Sequence, residues 1–219
     1  GRPEIDRLKR ALGSYGAAGQ LQQRPAPAEG GIFKRHWWRF YDAVPYAVDE
    51  VIQSWDLAFK DTKDSAYVVG QVWARDGANA YLLDQTREKL DFVGTVAAIR
   101  NLTAKWPMAA AKLVEDKANG PAVISSLHAS VAGLIPVEPD GSKEARAHAV
   151  SPLVEAGNVW LPTPAAAPWV DDLINECASF PNAAYADQVD AMTQALSRFA
   201  LRPVEILVED ESPVSISRY

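Results

Sequence analysis

Glu50-Val-Ile-Gln-Ser-Trp-Asp-Leu-Ala-Phe59 is the stretch on which the fold turns. It has the apolar and aromatic content of a strand, yet Asp56 sits inside it. A carboxylate on an apolar element is costly to bury unless something pairs with it. Working outward, residues 60–65 (Lys-Asp-Thr-Lys-Asp-Ser) form a polar turn. Ala66-Tyr-Val-Val-Gly-Gln-Val-Trp73 is a second strand, rich in β-branched and aromatic residues. Asp76-Gly77 is a hairpin signal, and Ala80-Tyr-Leu-Leu-Asp84 is the third strand. The sheet therefore opens as an antiparallel meander.

Beyond it, helices and strands alternate. Phe92, Val96, Ile99 and Leu102 recur at helical spacing, and Pro107 stops that helix. Ala111–Glu115 is a short strand. Gly120-Pro121 opens a helix with proline in its first turn. Gly133–Val137 is the fifth strand, Lys143–Ala156 a helix and Val159–Leu161 extended. Trp169–Ser179 and Asp187–Phe199 are helices. Three antiparallel strands followed by helix, strand, helix, strand and helices make an α/β fold, and the order is that expected of an RNase H-like mixed sheet flanked by helices.

The flanks differ. Within residues 1–48, Ile5–Leu12 is read as a short amphipathic helix. A Gly-, Pro- and Gln-rich linker follows, and then the aromatic and basic run Ile32-Phe-Lys-Arg-His-Trp-Trp-Arg-Phe-Tyr41. That run is either a nucleic-acid stacking surface or, as we favour, an aromatic strand on the domain edge. The expected division is a connector over 1–48, the α/β domain over 49–202 and an acidic tail over 203–219.

Composition narrows the function classes. Of 219 residues, 48% are hydrophobic and 23% charged, within the ordinary globular range. No apolar run reaches the roughly 20 residues of a membrane span, and the first ten residues do not read as a signal peptide. One cysteine, Cys177, rules out an intrachain disulfide or zinc cluster; a buried helical position suits it better than a catalytic one. His36, His128 and His148 share no metal-ligand spacing. A net charge of −6 argues against a general nucleic-acid coat, though not against a nuclease.

In an RNase H-like fold the end of the first strand, the end of the fourth and the start of the last helix converge. Asp56, the pair Glu115-Asp116, and Asp187 with Asp190 stand at those places. Hard divalent cations take carboxylate oxygens, so the expected cofactor is Mg2+ or Mn2+ at a two-metal site. Asp56 would bridge, Asp187 would hold one ion, and either Glu115 or Asp116 the other, because successive strand residues face opposite ways. Asp190, one turn beyond Asp187, is expected in a supporting or salt-bridged role. The blander readings are a strand-end cap for Asp56, a solvated strand end for one of Glu115 and Asp116, and a helix N-cap for Asp187. Asp171-Asp172 is read as an exposed helix face. Lys60, Lys63, Lys117, Lys143 and Arg146 are candidate phosphate contacts, against the reading of each as an ordinary surface charge.

Several segments resemble the nuclease domain of the tailed-phage terminase large subunit. They are Ser54-Trp-Asp-Leu-Ala-Phe-Lys-Asp61, Val114-Glu-Asp-Lys-Ala-Asn-Gly120 and Pro181-Asn-Ala-Ala-Tyr-Ala-Asp-Gln-Val-Asp-Ala191. Tyr15–Pro25 and Gly30–Lys34 look like that family's connector, so the resemblance runs from about residue 10 to residue 200. The family often carries His-Asp-Asp before the last helix. Here Tyr185-Ala186-Asp187 keeps one of the two acids, leaving Asp187 as the matching ligand. The resemblance implies an endonuclease acting on concatemeric double-stranded DNA in the cytoplasm of the bacterial host. It also implies as partners an upstream ATPase domain, the small terminase subunit and the portal. No Gly-x-x-x-x-Gly-Lys-Ser/Thr loop occurs in this sequence, so no ATPase activity is expected of it. The competing readings are another RNase H-like nuclease, of Holliday-junction resolvase type, and a catalytically silent docking module.

Overall fold

The computed structural model describes residues 31–45, 47–57, 67–117 and 119–201. The expected helix at Ile5–Leu12, Lys60, Lys63 and the tail over 203–219 lie outside the described residues. Seven strands form one mixed sheet in the order β1-β7-β4-β3-β2-β5-β6. β1 is Arg39–Tyr41, β2 Glu50–Leu57, β3 Val68–Asp76, β4 Asn79–Glu88, β5 Ala111–Glu115, β6 Leu134–Val137 and β7 Val159–Pro162. The helices, in chain order, are α1 (Phe92–Lys105), α2 (Gly120–Leu127), α3 (Lys143–Glu155), α4 (Val170–Ser179) and α5 (Asp187–Leu201). β2, β3 and β4 pair antiparallel, while β2–β5, β5–β6, β4–β7 and β1–β7 pair parallel. The expected meander and alternation are present.

β2 lies near the middle of the sheet and is covered on both faces, as its alternation requires. Val51, Trp55 and Leu57 pack with Val96, Ile99 and Leu102 of α1 and with Val123 and Leu127 of α2. Ile52 faces the other way, with Leu113, Val150 of α3, Leu173 of α4, and Met192, Leu196 and Phe199 of α5. Each such fully buried side chain contributes about 1.5–3 kcal/mol. The Trp55 ring passes so close over β3 that a Cβ on Gly70 would collide with it.

The aromatic and basic run forms an edge strand after a 3-10 turn at Arg35–Trp37. β1 pairs with β7, and Phe33 and Trp38 are buried in the core. This stretch, read from sequence as connector, thus contributes to the folded unit. Cys177 is buried on α4, where burial pushes its thiol well up, out of the nucleophilic range. Among the described residues no helix is long and apolar enough to cross a membrane.

Candidate metal centre

The carboxylates are placed by strand parity. Asp56 shares a face of β2 with Ile52 and Ser54, and that face meets α5: the Ser54 hydroxyl donates to the Ala191 carbonyl at 2.7 Å. Trp55 pairs with Val114 across the parallel β2–β5 ladder, so Asp56 and Glu115 are the next residues on adjacent strands. Ala111 and Leu113 face the α5 side, and Val114 faces the other. Glu115 therefore falls on the face of Asp56, and Asp116 on the opposite parity. Asp116 continues the pairing, its backbone N–H donating to Val137 at 2.8 Å. β5 is followed at once by α2, because Gly120 packs where any Cβ would collide with the Glu115 carbonyl.

Asp187 is the first residue of α5 and accepts the Tyr67 backbone N–H at 3.0 Å. Asp190 is also buried, and its carboxylate pairs with Lys143 and with Arg146, the latter at 2.8 Å. Both cations come from the first turns of α3, which Ser142 caps by accepting from the Ala145 N–H at 3.1 Å. Lys143 keeps 55% of its side chain exposed and Arg146 only 15%. Two of the expected phosphate contacts thus engage Asp190, and Lys117 stands exposed beyond β5. Asp171 and Asp172 are exposed on α4, and all three histidines are exposed.

Burial raises the Asp56 carboxyl well above its ordinary value, and the charges of Asp190, Asp187 and Glu115 raise it further, against a smaller opposing effect of Lys143. Burial likewise raises Asp187, partly offset by the Tyr67 N–H and by Lys143. For Lys143, burial favours the neutral amine, but the hydrogen bond and charge of Asp190, with Asp56 and Asp187, outweigh it and the ammonium is held above its usual range. The cluster is thus an all-oxygen donor set with more negative charge than its protein cations neutralise. A hard divalent cation fits that chemistry. As the side chains stand, no three His, Cys, Asp or Glu among the described residues are arranged to hold one ion. Asp190 is turned to its two cations and Asp187 to Tyr67.

Sequence reading missed what fixes α5. Glu176 of α4 is buried and caps the helix from outside. Its carboxylate accepts from the backbone N–H of Gln188 at 2.7 Å, from that of Val189 at 3.2 Å, and from Gln188 Nε2 at 2.7 Å. Arg87 stands 3.5 Å away. Gln85 donates to Gln188 Oε1 at 2.8 Å, while Gln71 donates to Gln85 Oε1 at 2.8 Å and to the Gln188 carbonyl at 3.2 Å. Further along α5, Gln194 Nε2 reaches Ser54 Oγ at 2.9 Å and the carbonyls of Trp55 and Leu113 at 3.4 Å. These amides tie the helix carrying Asp187 to the strands carrying Asp56 and Glu115.

Residues 53–199 match the family model described as the Terminase RNaseH-like domain. Among solved structures, the large terminase nuclease from thermophilic phage G20c with bound magnesium is similar at 16% identity and a TM-score of 0.59. That match covers 78% of this chain and 99% of that one. The same nuclease with bound zinc is similar at 18% identity and a TM-score of 0.58, covering 76% and 98%. The large terminase from thermophilic bacteriophage D6E in complex with ADP is similar at 10% identity and a TM-score of 0.60, with 92% of this chain matching 53% of that one. The chain spans about half the length of the D6E protein. No curated protein matches with significance.

Proposed function

This chain belongs to the family of terminase RNase H-like domains, the nuclease domains of phage large terminases, and on that premise we propose that it is a metal-dependent DNA endonuclease that cuts concatemeric double-stranded DNA during packaging. The observation that carries the reading is the convergence of Asp56, Glu115 and Asp187 on one face, with Asp56 buried among like charges. Asp56, Glu115 and Asp187 would hold the ions, Mg2+ or Mn2+, with Asp56 between the other two. Glu115 rather than Asp116 is the ligand from β5, by strand parity. Divalent ions bound there supply an activated water and stabilise the leaving 3′ oxygen. Neighbouring nucleases with bound magnesium, zinc and cobalt support a divalent requirement.

The chain's own residues do the rest. β2 and β5 fix Asp56 and Glu115 side by side, and α5 brings Asp187 to them. Asp190 orients Lys143 and Arg146, and the exposed end of Lys143 faces a backbone phosphate. Lys117 adds a second phosphate contact, and Lys60 and Lys63 are proposed for the same role. By family, an ATPase domain precedes this one in the intact protein, which works with the small subunit and portal in the host cytoplasm.

The test is plasmid cutting with magnesium or manganese. Asp56→Ala and Asp187→Ala should each abolish it; undiminished cutting by either refutes the assignment. The second reading, a catalytically silent docking module, draws on the turning of Asp187 to Tyr67 and of Asp190 to Lys143 and Arg146. Thermal unfolding with manganese separates the two, because an ion bound only by the folded state raises Tm.

A further inference from the structure

Two aromatic rings and two cations meet beside Asp187. Tyr67, whose backbone N–H holds the Asp187 carboxylate, has its ring edge-to-face with that of Tyr185, centroids 5.1 Å apart at 81°. The Arg87 guanidinium lies over the Tyr67 ring at 3.9 Å and stands 5.9 Å from the Tyr185 centroid. Lys89 places its ammonium 5.4 Å from the Tyr67 ring and is exposed. Neither tyrosine belongs to either core cluster. Tyr185 keeps 39% of its surface in solvent, so the outermost ring of the group is open. A cavity of about 290 Å³ opens beside Arg87, lined also by Gln85, Thr86, Glu88, Trp169, Asp172 and Gln188.

We propose that Tyr185, backed by Tyr67, Arg87 and Lys89, is a stacking ledge for an unpaired nucleobase of the DNA strand whose phosphate lies at the carboxylates. The inference rests on the nuclease reading and adds a substrate preference to it. An exposed ring takes any base by its π face, independent of sequence. Arg87, held between Glu176 and the Tyr67 ring, fixes the supporting ring. Lys89 supplies the phosphate contact that sets the strand's register. In a fully paired duplex the bases are stacked inside and cannot reach the ring. The ledge therefore selects frayed, gapped or locally melted DNA. Because Tyr67 also holds Asp187, a base seated on the ledge is positioned against the cutting site by the same residue.

The test compares binding, by fluorescence anisotropy in metal-free buffer, of a short thymidine oligonucleotide and an abasic oligonucleotide of equal length and charge. The wild-type chain should bind the base-bearing strand about tenfold more tightly, the scale of one stacked base. Tyr185→Ala should bring that ratio close to one, and Tyr185→Phe should keep it. A ratio near one in the wild type, or an unchanged ratio in Tyr185→Ala, overturns the ledge. If Tyr67 and Arg87 only brace Asp187, the two oligonucleotides are not distinguished. Plasmid cutting measured alongside separates the ledge from the reading beneath it. A chain that cuts with a ratio near one keeps the nuclease and loses the ledge; a chain that keeps the ratio without cutting keeps the base site and loses the nuclease.

Discussion

Glu176→Ala removes one carboxylate and strands three buried donors: the N–H groups of Gln188 and Val189 and the Gln188 amide. An unsatisfied buried donor costs about 1–3 kcal/mol, and water entering the space left by the shorter side chain recovers part of that. Losing one partner of a buried charged network typically costs about 3–5 kcal/mol, and we expect a loss in that range. Glu176→Gln should cost only about 1–2 kcal/mol, because it keeps a carbonyl acceptor for the helix. Burial, acting against the hydrogen bonds and Arg87, raises the Glu176 carboxyl, so the neutral isostere is tolerated where alanine is not. The assay is urea unfolding followed by tryptophan fluorescence, with seven tryptophans in the chain as reporters. With a slope of about 2 kcal/mol per molar, alanine should lower the midpoint by roughly 1.5–2.5 M. A loss below about 1 kcal/mol for alanine, or equal losses for both variants, would refute the capping role of Glu176.

Stability of the metal-free protein should carry a pH signature. Asp56 and Asp187 both have folded-state carboxyls raised, first by burial. The folded state then binds more protons than the unfolded one, so their contribution falls as pH rises from about 4 through the raised folded values. Subtracting the urea stabilities of Asp56→Asn from those of wild type across pH should show that fall, and a flat or rising difference contradicts it. Gly70→Ala drives a methyl into the Trp55 ring and should cost about 1–3 kcal/mol, with cutting reduced because Asp56 follows Trp55 on the strand; thermal unfolding and plasmid cutting check both. Gln194→Ala removes the donor shared by Ser54, Trp55 and Leu113. It should cost about 1–2 kcal/mol and weaken manganese binding, as titration calorimetry would show.

Much of the fold was legible because period and punctuation agreed. Asp76-Gly77 marked the hairpin between β3 and β4, and Pro107 marked the end of α1, each within two residues of where those elements stop. Which of Glu115 and Asp116 shares the face of Asp56 was not legible, because parity within β5 has meaning only once the register against β2 is known. The glutamines were missed for a different reason. Gln71 and Gln188 carry polar amides yet are fully buried, and a side chain that seeks water in isolation gives no local sign that its partners come from other elements. Glu176 looks like one more helix carboxylate until α5 is docked onto it. Arg87 likewise reads as an ordinary strand charge, though it touches both Glu176 and Tyr67.

The pairing of β1 with β7 sets where the molecule can be shortened. A fragment beginning at residue 49, as the composition shift invites, would leave one edge of β7 with open N–H and C=O groups. It would also remove Phe33 and Trp38 from the core. An unpaired edge beside an uncovered apolar surface templates association with another chain. The smallest piece that keeps β7 paired on both sides starts at about Gly31, and a shorter one should be recovered as aggregate.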